Sequence, residues 1–159
     1  MAPPPTRGRS LLALLGFLLV SFAAAGVGSL AQGGDVQGTY LAMDRPAWAP
    51  PPWVFGPVWT VLYVLIAVAA WRVWRTVDHV RALALWGVQL AVNAAWPGVF
   101  FGLGEPGWAL LVIVVLDLLV ITLVGVFSAR DRLAALLLVP YLGWILFATA
   151  LNAAIWLGG

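Results

Sequence analysis

The sequence predicts an all-α integral membrane protein, a bundle of five transmembrane helices. Three observations predict it. Of the 159 residues, 64% are hydrophobic and 9% charged, more apolar surface than a soluble domain of this size can hide. Five apolar runs reach the length of about 20 residues that crosses a hydrocarbon core. The arginines gather at alternate ends of these runs, as the positive-inside rule asks of a multi-pass chain.

Residues 1–9 are Pro-rich, with Arg7 and Arg9, and are expected to form a disordered tail. The remainder, 10–159, reads as one transmembrane domain. The first span is 10–31. Arg7 and Arg9, the apolar Leu11 to Val20 and the small Ala23, Ala24 and Ala25 also have the layout of a cleavable signal peptide. The apolar character runs on to Ala31, further than a signal needs. Residues 32–52 are polar and Gly-rich, then Pro-rich. A loop of this length between spans is commonly a functional segment. The second span is 53–71, closed by Arg72 and Arg75. The third is 82–103, the fourth 106–127 and the fifth 133–157. Short connections predict that sequence neighbours pack as antiparallel, adjacent helices.

Arg7, Arg9, Arg72, Arg75, Arg81, Arg130 and Arg132 fall on one side, and only Arg45 on the other. This puts the N-terminus in the cytoplasm and the long loop outside, in a membrane of the bacterial cytoplasmic kind. The net charge of +2 therefore carries topology, and no nucleic-acid partner is expected. There is no cysteine and a single histidine, His79. That removes disulfides, a thiolate nucleophile and any Cys- or multi-His metal site. No conventional catalytic set and no metal site are predicted.

The stretch Trp48–Thr60, WAPPPWVFGPVWT, holds three of the ten tryptophans and four prolines. Proline fixes φ, donates no N–H and pushes its predecessor to extended geometry. A stiff, extended lead-in turning helical near Trp53 follows. Interfacial anchoring accounts for some of these indoles, though not for the stiffened loop or for Trp59 inside the helix.

In the third span, Trp86, Gln89, Asn93, Trp96 and Phe100 share a face at about 100° per residue. Amides in hydrocarbon need partners, so this face looks inward, as interhelical glue, as ligand contact, or as both. Gly87, Ala91, Ala94, Gly98 and Gly102 form a small-residue stripe on the other face, which suits close approach of a second copy in a homodimer. In the fifth span Tyr141, Trp144, Ala148, Leu151 and Ile155 lie together with Asn152 at the edge, and in the second Trp59, Tyr63 and Ile66. These faces can line an aromatic cavity for a flat apolar ligand, or fill a core. Asp117 sits midway along the fourth span, where an ionisable residue suggests function or a neutral carboxyl bonded to another helix. His79, beside Asp78, reads as a solvated loop residue.

These motifs resemble, in order, the translocator protein family, also called tryptophan-rich sensory proteins or peripheral-type benzodiazepine receptors (TspO). Arg45-Pro46 with Trp48-Ala49-Pro50-Pro51 is similar to the family's first loop. Trp53 to Thr60 with Leu62-Tyr63 is similar to its second helix. Gln89 to Pro97 with Phe100-Phe101-Gly102 is similar to its third. Pro140-Tyr141-Leu142, Trp144, Phe147-Ala148-Thr149 and Leu151-Asn152 are similar to its fifth. The resemblance covers roughly residues 40–155.

It implies a TspO-like five-helix bundle, commonly dimeric, that binds tetrapyrroles such as protoporphyrin IX and other hydrophobic ligands under the first loop. No cofactor is required; porphyrin- or haem-type molecules are ligands. By position the implied pocket includes Trp48, Trp53, Phe55, Trp59, Asn93, Trp96, Trp144, Ala148 and Leu151. The inward faces add Tyr63, Gln89, Phe100 and Tyr141, and Arg45 offers a carboxylate partner at the mouth. Trp48 and Trp144 match tryptophans linked in some members to light-dependent porphyrin breakdown. The family's sterol segment is interrupted, with Ala153 at its Tyr position and Leu157 at its basic one. The implied role is a membrane receptor or sensor, the alternatives being a transporter of tetrapyrroles or small hydrophobes and Trp-dependent photo-oxidation. No inverted repeat of the usual transporter kind is visible.

Overall fold

The computed structural model describes residues 6–158. Among them are five helices long and apolar enough to cross a membrane, and no strand. Helix α1 runs Arg7–Ala31. Thr6 caps it, its hydroxyl accepting from Arg9 N at 3.4 Å, so Arg7 to Arg9 form the first helical turn instead of part of a disordered tail. Residues 1–5 of that expected tail lie outside the described residues.

The long loop is partly helical. Asp35 accepts from Gly38 N at 2.9 Å and starts α2, Val36–Ala42, an Asp N-cap of the usual kind. Pro51 is extended, with ψ of 150°. A 3₁₀ turn, Pro52–Val54, then leads into α3, Phe55–Trp74. Helix α4 is Val80–Pro97 and passes into a π-helical turn, Gly98–Gly102. Pro97 supplies no N–H, which frees the ladder to widen; Leu103 N donates to Gly98 O, five residues back, at 2.8 Å. Gly104, at φ +66°, then reverses the chain, a conformation glycine takes without penalty. Helix α5 is Pro106–Ser128 and α6 is Arg132–Trp156.

The five long helices form a ring in the order α1, α3, α6, α5, α4. Helices α3 and α4 are neighbours in sequence but touch only slightly, contrary to the expectation from short loops. A tight connection fixes two ends and leaves the rest of each helix to its best apolar partners, which for α3 are α1 and α6.

One half of the ring is solid. Ile66, Ala70, Val73, Trp86, Leu123, Phe127, Ala134 and Leu138 form a continuous core, the buried alanines allowing close helix approach. This is the arginine end. There Arg72 pairs with Asp131 at 2.8 Å, and Arg130 Nε donates to Asp78 O at 3.2 Å. Towards the long loop the buried cluster is smaller, with Tyr40, Phe100, Ala109, Leu151 and Ile155, and the ring is hollow.

An aromatic cavity under the first loop

The hollow half encloses a cavity of about 460 Å³, within the range of small-molecule sites. Its walls carry Phe55, Trp59 and Tyr63 from α3, Asn93 and Trp96 from α4, and Trp144, Ala148 and Leu151 from α6. Phe100 enters from the π-helical turn, stacked on Trp96 with centroids 5.1 Å apart.

A directional hydrogen-bond chain crosses the cavity floor. Tyr63 Oη donates to Asn93 Oδ1 at 2.7 Å. Asn93 Nδ2 donates to Tyr141 Oη at 2.7 Å, and Tyr141 Oη donates to Gln89 Oε1 at 2.8 Å. Each hydroxyl spends its one hydrogen inside the chain, which leaves acceptor lone pairs on Tyr63 for the cavity. Gln89 and Tyr141 are fully buried and hold the floor from behind; they do not line the space. Asn152 does line it, accepting from Trp96 Nε1 at 3.0 Å and donating to Pro106 O at 2.8 Å. Trp144 lines the cavity, while its Nε1 is buried with no partner among the described residues.

The roof is α2 and the proline run. Tyr40 Oη donates to Pro50 O at 2.8 Å, its ring packs edge-on to Phe55 at 5.2 Å, and Arg45 lies over it at 4.8 Å. Burial pushes the Tyr40 phenol above its ordinary value, against the pull of the Arg45 hydrogen bond and charge. Arg45 therefore braces the roof and is not among the lining residues. Trp48 packs outside, against Phe147 at 5.7 Å, and Phe147 separates it from Trp144. Trp53 is 72% exposed: the extended Pro51 and the 3₁₀ turn aim it away from the bundle. Neither tryptophan lines the cavity.

Sequence reasoning missed one wall and the roof. Phe22, Ala25, Gly28 and Ser29 of α1 line the space, as do Val36, Gln37 and Tyr40. The first span shows no polar stripe to mark its inward face, and seven-residue α2 is too short for periodicity. Its signal was the Asp35 cap ahead of Val36.

The small-residue stripe of α4 divides. Ala94, Gly98 and Gly102 contact α1: a Cβ added at Gly28 would meet the Ala94 carbonyl oxygen at 3.4 Å, one at Gly98 would press on Ala31 Cβ at 3.0 Å, and one at Gly102 would strike the Ala31 carbonyl oxygen. Gly87 and Ala91 face outward, with open space beside Gly87, and Gly102 is exposed on its other side. Asp117, on α5, is buried against α6 with Thr149 Oγ1 at 2.8 Å. His79 precedes α4, its Nδ1 2.8 Å from Thr76 O. Among the described residues no three His, Cys, Asp or Glu side chains gather as metal ligands.

Comparison with known proteins agrees with this architecture. The TspO/MBR family model matches residues 17–157. The tryptophan-rich protein TspO of Archaeoglobus fulgidus is 40% identical over 150 residues, covering 93% of this chain and 97% of the relative. The human translocator protein is 38% identical over 168 residues, covering 98% and 92%. The tryptophan-rich sensory protein of Cereibacter sphaeroides is 40% identical over 138 residues, covering 87% and 85%. A match over nearly the whole length of chain and relatives, with five apolar helices in one bundle, places this multi-pass membrane protein in the TspO/MBR family.

Proposed function

We propose that the chain is a membrane receptor or sensor that binds flat, hydrophobic tetrapyrroles of the protoporphyrin IX type in the aromatic cavity. The observation that carries this reading is the chemistry of the cavity wall. Indole and phenyl faces from three helices surround a small set of polar groups, among them the Tyr63 hydroxyl and the Asn93, Asn152 and Gln37 amides. A planar macrocycle satisfies both demands, with stacking faces and pyrrole nitrogens that donate or accept. Its carboxylates stay near the roof, since a buried unpaired charge is very costly. The names of the relatives, sensory and translocator proteins, fit a ligand-responsive membrane protein. The arginine end faces the cytoplasm in this reading, and the cavity roof faces outward.

Titration of the purified protein with protoporphyrin IX in the dark, following tryptophan fluorescence and porphyrin absorbance together, tests it. Saturable quenching with a matched absorbance shift is expected. Quenching that grows linearly with porphyrin, as in empty micelles, overturns the reading. A second arm under illumination bears on photo-oxidation. Trp144 lines the cavity and Trp48 stands behind Phe147, so Trp144→Phe is expected to slow any light-driven loss of porphyrin more than Trp48→Phe.

A further inference from the structure

We propose that the cavity is entered sideways from the bilayer, through a slot between the loop-end halves of α1 and α3, with Phe22 and Gly56 at its edges. The inference starts from how α1 changes partners along its length. Near its start, Ser10 accepts from Trp71 Nε1 of α3 through its carbonyl at 2.9 Å and its hydroxyl at 3.2 Å. Further along, Phe17 packs edge-on against Trp86 of α4 at 5.3 Å. At its end α1 lies wholly on α4 and the π-helical turn. Gly28 meets the Ala94 carbonyl and the Pro97 ring, and Ala31 meets Gly98 and Gly102. The glycines on both sides let the backbones close up there. Closing on α4 draws the end of α1 away from α3.

The facing surface of α3 shows the gap. Gly56 and Thr60 are exposed, and a Cβ built on Gly56 would meet nothing within 4 Å. Yet both residues line the cavity, as do Phe22, Ala25 and Ser29 of α1. A residue that lines a cavity and is also open to the outside of the bundle marks a break in the wall. The break lies within the two apolar spans, so it faces lipid. The roof above is strapped by Tyr40 to Pro50.

Dimensions and chemistry suit passage of a flat ligand. Phe22 to Ser29 is seven helical steps, about 10 Å of helix at 1.5 Å per residue. An aromatic sheet is about 3.5 Å thick and can pass edge-on. Thr60 spends its hydroxyl on Gly56 O at 2.8 Å, so it shows lipid no unsatisfied donor. Phe22 is 40% exposed and sits 6.0 Å from the Tyr63 ring, between the lipid and the cavity floor. The ligand class is an apolar planar molecule already dissolved in the membrane.

The test needs no tetrapyrrole, so its outcome is independent of the function proposed above. The chain has no cysteine, and Ala148→Cys places one thiol on the far wall of the cavity. In liposomes this variant is exposed either to an apolar maleimide dissolved in the bilayer or to a charged, membrane-impermeant one. The apolar reagent is expected to label, and adding Gly56→Trp, which fills the slot, is expected to slow it at least tenfold. The charged reagent is expected to label more slowly than the apolar one. An apolar labelling rate unchanged by Gly56→Trp, or faster labelling by the charged reagent, overturns the proposal. Should Gly56→Trp fail to fold, Phe22→Ala widens the slot and is expected to speed apolar labelling; an unchanged rate there overturns it equally.

Discussion

Tyr63 of α3 and Asn93 of α4 are joined by a 2.7 Å hydrogen bond between two helices that scarcely pack. Asn93 answers two hydroxyls at once, accepting from Tyr63 and donating to Tyr141. The residue thus ties α3, α4 and α6 together beneath the cavity. Tyr63→Phe removes one donor and strands one acceptor, a cost of about 1 kcal/mol. Asn93→Ala strands both tyrosines and is expected to cost roughly twice that. Thermal unfolding in one detergent measures both, and equal melting temperatures for the two variants would show that the chain does not act as a unit.

The divided stripe on α4 gives opposite expectations for two glycines. Gly98→Leu presses on Ala31 and is expected to lower the melting temperature by pushing α1 off α4. Gly87 has open space beside it, so Gly87→Leu is expected to leave the monomer folded. With Ala91, Gly87 is the part of the stripe left for a second copy. Gly87→Leu should then raise the monomer fraction in light scattering. The same monomer fraction in wild type and Gly87→Leu would rule this face out.

Asp131 works twice at the arginine end, capping α6 through Ala134 N at 3.0 Å and pairing with Arg72 at 2.8 Å. Burial raises its carboxyl, but the Ala134 hydrogen bond and the Arg72 contact outweigh it and leave the value lowered. A depressed folded value means the contribution is present above the ordinary carboxylate range, near pH 4. It is lost as the pH falls through the still lower folded value. Asp131→Asn keeps a cap and loses the charge. Its melting temperature should lie below wild type at pH 7 and converge with it as the pH falls through the lowered folded value. A constant gap over that window would argue against the pair.

Thr149 Oγ1 lies 2.8 Å from both Asp117 Oδ2 and Ile145 O, and one hydroxyl hydrogen cannot serve both. A donor at position 117 resolves the conflict. Asp117→Asn supplies one of the same size and is expected to unfold within about 1 kcal/mol of wild type. Asp117→Ala leaves a gap between α5 and α6 and is expected to lose more, about 2 kcal/mol. If Asn proves as costly as Ala in thermal unfolding, the contact is not a hydrogen bond of this kind.

The fold was legible because hydrocarbon leaves few choices. A run such as Pro106–Ser128, with one charged residue, can only be a helix. Trp59, Asn93 and Trp144 could be placed on inward faces by the helical period alone. The ring order could not be read, because loop length fixes only where helices begin and end. The sequence reading places Trp48 and Trp53 in the pocket, where neither lines the cavity, because loop side chains carry no period and the proline run sets their direction. The cavity itself was open to two readings. Periodicity cannot tell a hollow from a packed core, and only the packing of the helices separates them.

Trp144 provides the sharpest comparison within the ten tryptophans. Its ring stands edge-on to Phe55 at 5.9 Å and tilted to Phe147 at 5.5 Å and lines the cavity, with its N–H buried and unpartnered among the described residues. Trp71 is as large and also half-buried, but its N–H is spent on Ser10 at the far end of the bundle. Trp53 lies near the roof and faces outward. Trp144→Ala removes a stacking face from the cavity wall and is expected to weaken protoporphyrin binding at least tenfold, about 1.4 kcal/mol. Trp71→Ala and Trp53→Ala are expected to stay within about twofold. Arg45→Ala should fall between them and depend on salt, because Arg45 reaches the ligand only through the Tyr40 roof or its carboxylates. Fluorescence titration of the four variants, each checked for its melting temperature, gives the order. If Trp71→Ala weakens binding as much as Trp144→Ala while both stay folded, the ligand does not occupy this cavity, and its aromatic walls serve packing alone.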